Sequence, residues 1–173
     1  MPKDRYSRQE LVLGKKAKKK LENSKIAVVG PGALGSVAAE LLARAGANLT
    51  IIDRDIVEET NLQRQLLYTE ADVKKPKAET AKQRLEDINS TIRIISHTTD
   101  INYKNIDLLK DNDLILDCTD NLYTRFLIDE FSDKTSIPWI YAGAIQNHGN
   151  IMVITKDTPR FKDTFQETGQ LET

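Results

Sequence analysis

At 173 residues, with 39% hydrophobic and 29% charged side chains, the chain is long enough for one well-cored domain and too evenly mixed for a disordered or fibrous protein. Its 25 Lys and Arg nearly cancel 26 Asp and Glu, and a net charge of −1 argues against non-specific binding of nucleic acid or other polyanions. One cysteine excludes a disulfide scaffold and a cysteine-based zinc site, and no apolar run approaches the length of a membrane span.

Met1 to Glu10 is polar and lacks the apolar centre of a signal peptide, so the expected location is cytoplasmic and no membrane partner is expected. Residues 5 to 24 predict a helix with its approach loop, carrying Leu11, Val12 and Leu13 and then five lysines between Lys15 and Lys20. That lysine run reads as a solvated helix face, with contact to a partner or nucleic acid as the alternative. Lys25 to Val29 predicts a buried parallel strand ending at Gly30. Apolar residues at 34, 37, 38, 41, 42 and 45 predict a helix, stopped by Gly46. Asn48 to Ile52 predicts a second strand that stops at Asp53 and completes a βαβ unit.

Ala78, Ala81, Leu85 and Ile88 then have helical spacing, with Pro76 near the start. Strands are predicted at Ile92 to Ser96, Leu114 to Asp117, Pro138 to Ala142 and Ile151 to Thr155, and a helix at Asn121 to Asp133. The alternation predicts an α/β fold: a Rossmann-like, doubly wound, mostly parallel sheet with helices on both faces. Lys156 to Thr173 lacks a sustained apolar pattern. The expected division is a helical segment over 1–24, a nucleotide-binding domain over 25–157 and a loosely ending polar tail over 158–173.

Gly30-Pro31-Gly32-Ala33-Leu34-Gly35 fits G-x-G-x-x-G between a strand and a helix. The first glycine permits the turn, the second lets a phosphate approach the backbone, and the third lets the helix pack closely. Asp53 lies 18 residues beyond Gly35, at a strand end where a carboxylate accepts ribose hydroxyls. Up to here a nicotinamide dehydrogenase would also fit. The segment from Asp53 to Gln65 changes that reading, because Arg64 offers a planar donor fork for phosphate and Asn61 an amide. Lys77 adds a cation at a helix start, and Asp120 follows the fourth strand, where one carboxylate with phosphate oxygens suits magnesium. Two cations, one acid and a glycine loop fit triphosphate chemistry better than hydride transfer.

These segments resemble the MoeB/ThiF/HesA family, relatives of the ubiquitin-activating enzymes. The resemblance runs through Arg5 to Gln9, Gly30 to Gly35, Asp53 to Gln65, Lys75 to Lys77, Asp117 to Asn121 and Tyr141 to Gly149. Thr60-Asn61-Leu62-Gln63-Arg64-Gln65 combined with Asp117-Cys118-Thr119-Asp120-Asn121 is far more specific than the glycine loop. The resemblance implies that MgATP adenylates the C-terminal glycine carboxylate of a ubiquitin-fold sulfur-carrier protein ending in Gly-Gly. It implies that Gly30, Gly32, Ala33 and Gly35 hold phosphate or adenylate and that Asp53 holds the ribose. Asp55 is the weaker candidate, supporting the loop. Thr60, Asn61, Leu62, Gln63 and Arg64 would wrap the triphosphate, Lys77 would offset developing charge, and Asp120 would hold magnesium with Asn121 beside it. Arg8 is similar to an arginine that crosses a homodimer to reach the partner's nucleotide.

Family members continue beyond this point with two C-x-x-C pairs for structural zinc, a crossover loop and often a reactive cysteine, none of which occurs here. The expectation is therefore no zinc, and a sheet edge left uncovered unless dimerisation or altered packing covers it or the chain is a fragment. Cys118 reads as a small buried residue, and His97 and His148 as isolated strand-end and turn residues. Two alternatives stay open: a degenerate paralogue that binds ATP without turnover, and adenylation of a small-molecule or tRNA-attached carboxylate.

Overall fold

The computed structural model describes residues 5–165, and its architecture follows from strands that are apolar on both faces. In β1 (Lys25–Val29), Ile26 and Val28 point into one core and Ala27 and Val29 into another. α2 (Ala33–Ala45) and α3 (Lys77–Ile88) close the first core over β2 (Asn48–Ile52) and β3 (Ile94–His97). α4 (Leu122–Thr135) and α5 (Phe161–Thr164) close the second over β4 (Leu114–Asp117), β5 (Trp139–Ile145) and β6 (His148–Ile154). The sheet order is β3-β2-β1-β4-β5-β6, the first five strands parallel and β6 antiparallel. This is the expected Rossmann-like fold. Its strand order reverses between β1 and β4, and in open α/β sheets the carboxyl ends at such a switch point are where ligands bind. No described helix is long and apolar enough to cross a membrane.

Three elements differ from the sequence expectation. α1 (Ser7–Asn23) is two helical pieces broken at Gly14, which adopts φ 77° and ψ 160°, and it buries no residue. Most of the lysine run is exposed on its second piece, with Lys18 placed between Glu10 and Glu22 at 3.5 and 3.6 Å. α2 is present but turned. Gly35, Ser36, Ala39 and Ala43 face the sheet, whereas Leu34, Val37 and Leu41 are 40%, 37% and 62% exposed. The reason is clearance: a Cβ on Gly35 would lie 2.2 Å from the Gly30 carbonyl oxygen, so only small residues allow this approach.

The third difference lies in the region expected to be a polar tail. Phe161 is buried there, stacked on Phe165 at 4.5 Å between ring centroids and edge-on to Tyr141 at 5.1 Å. The second core therefore extends to α5, past the expected boundary at 157; residues 166–173 lie outside the described residues. β6 is one of the sheet's two edge strands, and Ile151 and Val153 are exposed on it.

Candidate functional site

The turn from β1 into α2 is built to leave backbone donors free. Gly30 takes φ 82°, and its N–H donates to Ile52 O at 3.0 Å. Gly32 caps α2, and the Ser36 N–H donates to Gly32 O at 3.0 Å. The amides of the first turn, Ala33 among them, are thereby left without an intrahelical acceptor, at the positive end of the helix dipole. A Cβ on Gly32 would meet only the Gln65 Nε2, at 3.7 Å, so a ligand has access to this stretch of backbone. The buried Tyr68 hydroxyl donates to Pro31 O at 3.0 Å and reaches Lys77 O at 3.4 Å, tying the loop to α3. Burial, and then the charges of Asp53 and Asp72, push the Tyr68 pKa up and keep it a donor.

The ends of β2 and α3 meet beside this loop. Asp53 accepts from the Asp55 N–H through Oδ1 at 2.7 Å. Burial raises the Asp53 pKa, opposed by that N–H and by Lys77. The buried Lys77 stands at the start of α3, with Nζ 3.3 Å from Asp55 Oδ2 and its N–H on Asp55 O at 2.8 Å. Asp55 thus braces Lys77 and Asp53 together.

The 58–65 segment divides between scaffold and surface. Asn61 is buried, and its Oδ1 accepts from the Glu58 N–H at 3.3 Å, so the side chain expected to serve phosphate is already part of a capping turn. Thr60 donates its hydroxyl to Glu58 Oε2 at 3.2 Å, Leu62 packs against the first core, and Gln63 is exposed. Arg64 is exposed with Nη1 on Thr60 O at 3.0 Å. Gln65 was not among the expected site residues, yet it is buried with Oε1 lacking a partner while its Nε2 borders Gly32. A buried amide beside a phosphate loop is the signal that would have singled it out.

Across the crevice, the turn after β4 lies on the glycine loop. A Cβ on Gly30 would be 3.1 Å from the Cys118 backbone and 3.1 Å from Thr119 Cγ2. Asp120 is exposed at that turn, and Asn121 caps α4 by accepting from the Thr124 N–H at 3.2 Å. Burial, then the Asp117 charge, push the Cys118 thiol up to about 12, which makes it a poor nucleophile. Two further residues belong here that sequence reasoning did not select. Asp117 is fully buried, and Arg125 of α4 reaches back beneath the turn.

Arg8 stands apart. α1 reaches α2 at the end far from the glycine loop, where the Tyr6 ring lies against Gly46 and Gln9 Nε2 donates to Ala45 O at 3.0 Å. α2 is about 20 Å long at 1.5 Å per residue. Arg8 is exposed there and has no hydrogen bond or ion pair among the described residues.

The residues present suit a triphosphate and a magnesium ion that arrives with it. Asp120 is a single exposed carboxylate, and among the described residues no three His, Cys, Asp or Glu side chains cluster as a metal cage. Magnesium held by one acid together with phosphate oxygens and water needs no such cage.

The ThiF family model matches residues 6–173 of the chain. The sulfur carrier protein ThiS adenylyltransferase of Bacillus subtilis is 43% identical over 162 residues, covering 90% of this chain and 48% of that protein. The molybdopterin-synthase adenylyltransferase of Haemophilus influenzae is 37% identical over 165 residues, covering 92% of this chain and 68% of that protein. A crystal structure of E. coli MccB with ATP matches with a TM-score of 0.84 at 26% identity, covering 92% of this chain and 51% of that one. The chain spans about half the length of the Bacillus subtilis relative and of MccB.

Proposed function

The chain belongs to the ThiF family, and from that membership and the site together we propose that it adenylates the C-terminal glycine carboxylate of a ubiquitin-fold sulfur-carrier protein ending in Gly-Gly. One observation carries the reading: the glycine loop, the Lys77–Asp55–Asp53 group and the Asp120 turn sit side by side at the carboxyl ends of the adjacent strands β1, β2 and β4. In the reaction, a carboxylate oxygen attacks the α-phosphorus of ATP. A C–O–P bond forms, the bond from the α-phosphorus to the bridging oxygen breaks, and pyrophosphate leaves with that electron pair. Two anions must approach, so the chain has to hold positive charge and backbone donors in place beforehand.

The α2 amides bind phosphate oxygens, Asp53 accepts the ribose hydroxyls, and Lys77, braced by Asp55, faces the charge that develops. Arg64 exchanges its contact with Thr60 O for phosphate. Asp120 is the residue that holds magnesium, which supplies charge neutralisation on the leaving phosphates. No protein nucleophile is required.

The proposal includes a homodimer that delivers Arg8 to the partner's nucleotide. Its support is the length of α2, which separates Arg8 from its own loop, and the exposed Leu34, Val37 and Leu41 on the outer face of that helix. The test is ATP–pyrophosphate exchange with candidate carriers. Exchange that requires a carrier with an intact Gly-Gly terminus is the expected result. ATP binding without exchange would point to a nucleotide-binding module, and exchange driven by a small carboxylate to another substrate class.

A further inference from the structure

Arg125 and Asp117 are the buried ionisable groups of the crevice that the proposed chemistry leaves unused. Asp117 ends β4, between Val29 of β1 and Tyr141 of β5 in register, and is fully buried. Its Oδ1 accepts from the Thr119 N–H at 2.9 Å and from the Thr119 hydroxyl at 2.8 Å. Arg125 donates Nη2 to the Thr119 carbonyl, and its guanidinium lies over the Tyr141 ring at 4.8 Å from the centroid. Thr119 is thus gripped at its N–H, hydroxyl and carbonyl, and it is the residue immediately before Asp120. Its Cγ2 borders Gly30, so the same grip sets the turn against the glycine loop. The remaining atoms of the pair, Asp117 Oδ2 and Arg125 Nε, stand 3.7 Å apart, and neither has a hydrogen-bond partner. Orphaned buried polar atoms cost stability, and their retention at a ligand crevice points to a role outside folding.

Resting on the adenylation reading above, we propose that Asp117, Arg125 and Tyr141 are positioning residues that act through Thr119 to hold Asp120 at a fixed distance from the glycine loop. None of the three touches the nucleotide. Arg125 is the specific element: a lysine retains the charge but cannot both stack on Tyr141 and present a planar fork to Thr119 O.

The experiment compares wild type with Arg125→Lys and Thr119→Val by two readouts. The first is amide hydrogen exchange of the nucleotide-free protein. Arg125→Lys should speed exchange at residues 118–121 about tenfold while β1, β2 and α3 keep their protection. The second is ATP affinity by calorimetry with and without Mg2+. Wild type should bind ATP more tightly with the metal; Arg125→Lys should lose about tenfold of that advantage and leave metal-free ATP binding unchanged, as a positioning loss predicts. Thr119→Val removes only the hydroxyl bond at constant shape and should lose about threefold; it keeps the test alive should Arg125→Lys not fold. Unchanged exchange at 118–121, or a full magnesium advantage in folded variants, overturns the positioning role. Absence of any magnesium advantage in wild type overturns the adenylation reading instead, and the hydrogen-exchange result then still decides whether the grip exists.

Discussion

Replacing Asp117 by asparagine should raise stability at neutral pH while weakening the site. Burial is the main influence on this carboxyl, and the Asp120 charge adds to it. The Thr119 N–H and hydroxyl and the Arg125 charge oppose them, and the result is a pKa raised from 3.8 to about 6. The native state therefore holds this proton more tightly than the unfolded chain does. Between about pH 4 and pH 6 the native form binds more protons, so this group's contribution makes stability fall as pH rises through that window. At about 1.4 kcal/mol per pH unit, the gap amounts to a cost on the order of 3 kcal/mol once the carboxylate is ionised. Asparagine keeps the acceptor for Thr119 and removes the charge. Its NH2 group replaces the orphaned Oδ2, which returns about 1 kcal/mol of the gain as an unpaired donor. Urea unfolding at pH 4.5 and pH 7.5 measures the difference. Wild type should lose stability relative to Asp117→Asn between the two pH values, by about 2 kcal/mol. Parallel stability curves for the two proteins would refute this account of the buried charge.

Asp72 should behave in the opposite sense: burial raises its pKa, but Arg84 at 2.6 Å, the Thr69 N–H and hydroxyl, and Lys75 outweigh that and hold it at about 2. Its stabilisation is complete above about pH 4 and disappears as pH falls through about 2, so Asp72→Asn should cost about 2 kcal/mol in urea melts at pH 7 and progressively less in acid. Lys77→Ala should lower carrier-dependent pyrophosphate exchange by about 10²-fold with a smaller effect on ATP affinity, because its charge counts most where negative charge develops; equal losses in both would make it a ground-state contact. Leu41→Glu, on an exposed α2 position, should change unfolding free energy by less than about 0.5 kcal/mol yet produce monomers in sedimentation; a dimer that persists would move the interface elsewhere. Mixing inactive Arg8→Ala and Asp120→Ala subunits should restore about a quarter of wild-type exchange, since about half the dimers are mixed and one site in each is complete; no recovery after demonstrated subunit exchange removes the trans role of Arg8.

The parts legible in the sequence are those whose cause is local. The run Lys25–Val29, the G-x-G-x-x-G turn and the acid ending β2 each declare themselves within a few residues, and together they dictate the βαβ unit and the crevice. The inward face of α2 was not legible, because its apolar periodicity favours Leu34, Val37 and Leu41 while the buried face is Gly35, Ser36, Ala39 and Ala43, with no room for a Cβ at Gly35. That distance is a property of two elements in contact. Phe161 was missed for a related reason: two aromatics four residues apart in a polar stretch are too short a pattern to declare a core element, and the burial of Phe161 depends on Tyr141 and Trp139 in β5. Arg125 lies on a helix face that reads as ordinary, and only the return of α4 beneath the 117–121 turn shows what it holds. Asn61 shows the converse, a conspicuous polar residue in a motif whose oxygen serves the backbone of its own turn.

Charge arithmetic at the candidate site supports the proposed contribution from outside one chain. With the buried Arg125–Asp117 pair cancelling itself, Arg64 and Lys77 are its cations, and Asp53, Asp55 and Asp120 its carboxylates; Lys77 is already committed to Asp55 at 3.3 Å. Arg54 does not change the balance, because it sits between Asp55 at 3.7 Å and Asp100 at 3.9 Å. Two cations against three carboxylates leave the crevice at −1 before a triphosphate and a second carboxylate enter. Backbone donors at α2 offset only part of this, since a helix N-terminus is worth roughly half a charge. The remaining positive charge must arrive with the ligands or from another molecule. Magnesium bound with ATP at Asp120 would be one source under the proposed function. Arg8, exposed and without an ion pair among the described residues at the opposite end of α2, is the other under the proposed function, delivered by a neighbouring copy. Under the proposed function, a site electrostatically incomplete in one chain would hold ATP without reacting until metal and a second subunit completed it and the carrier's own carboxylate arrived to form the acyl-adenylate.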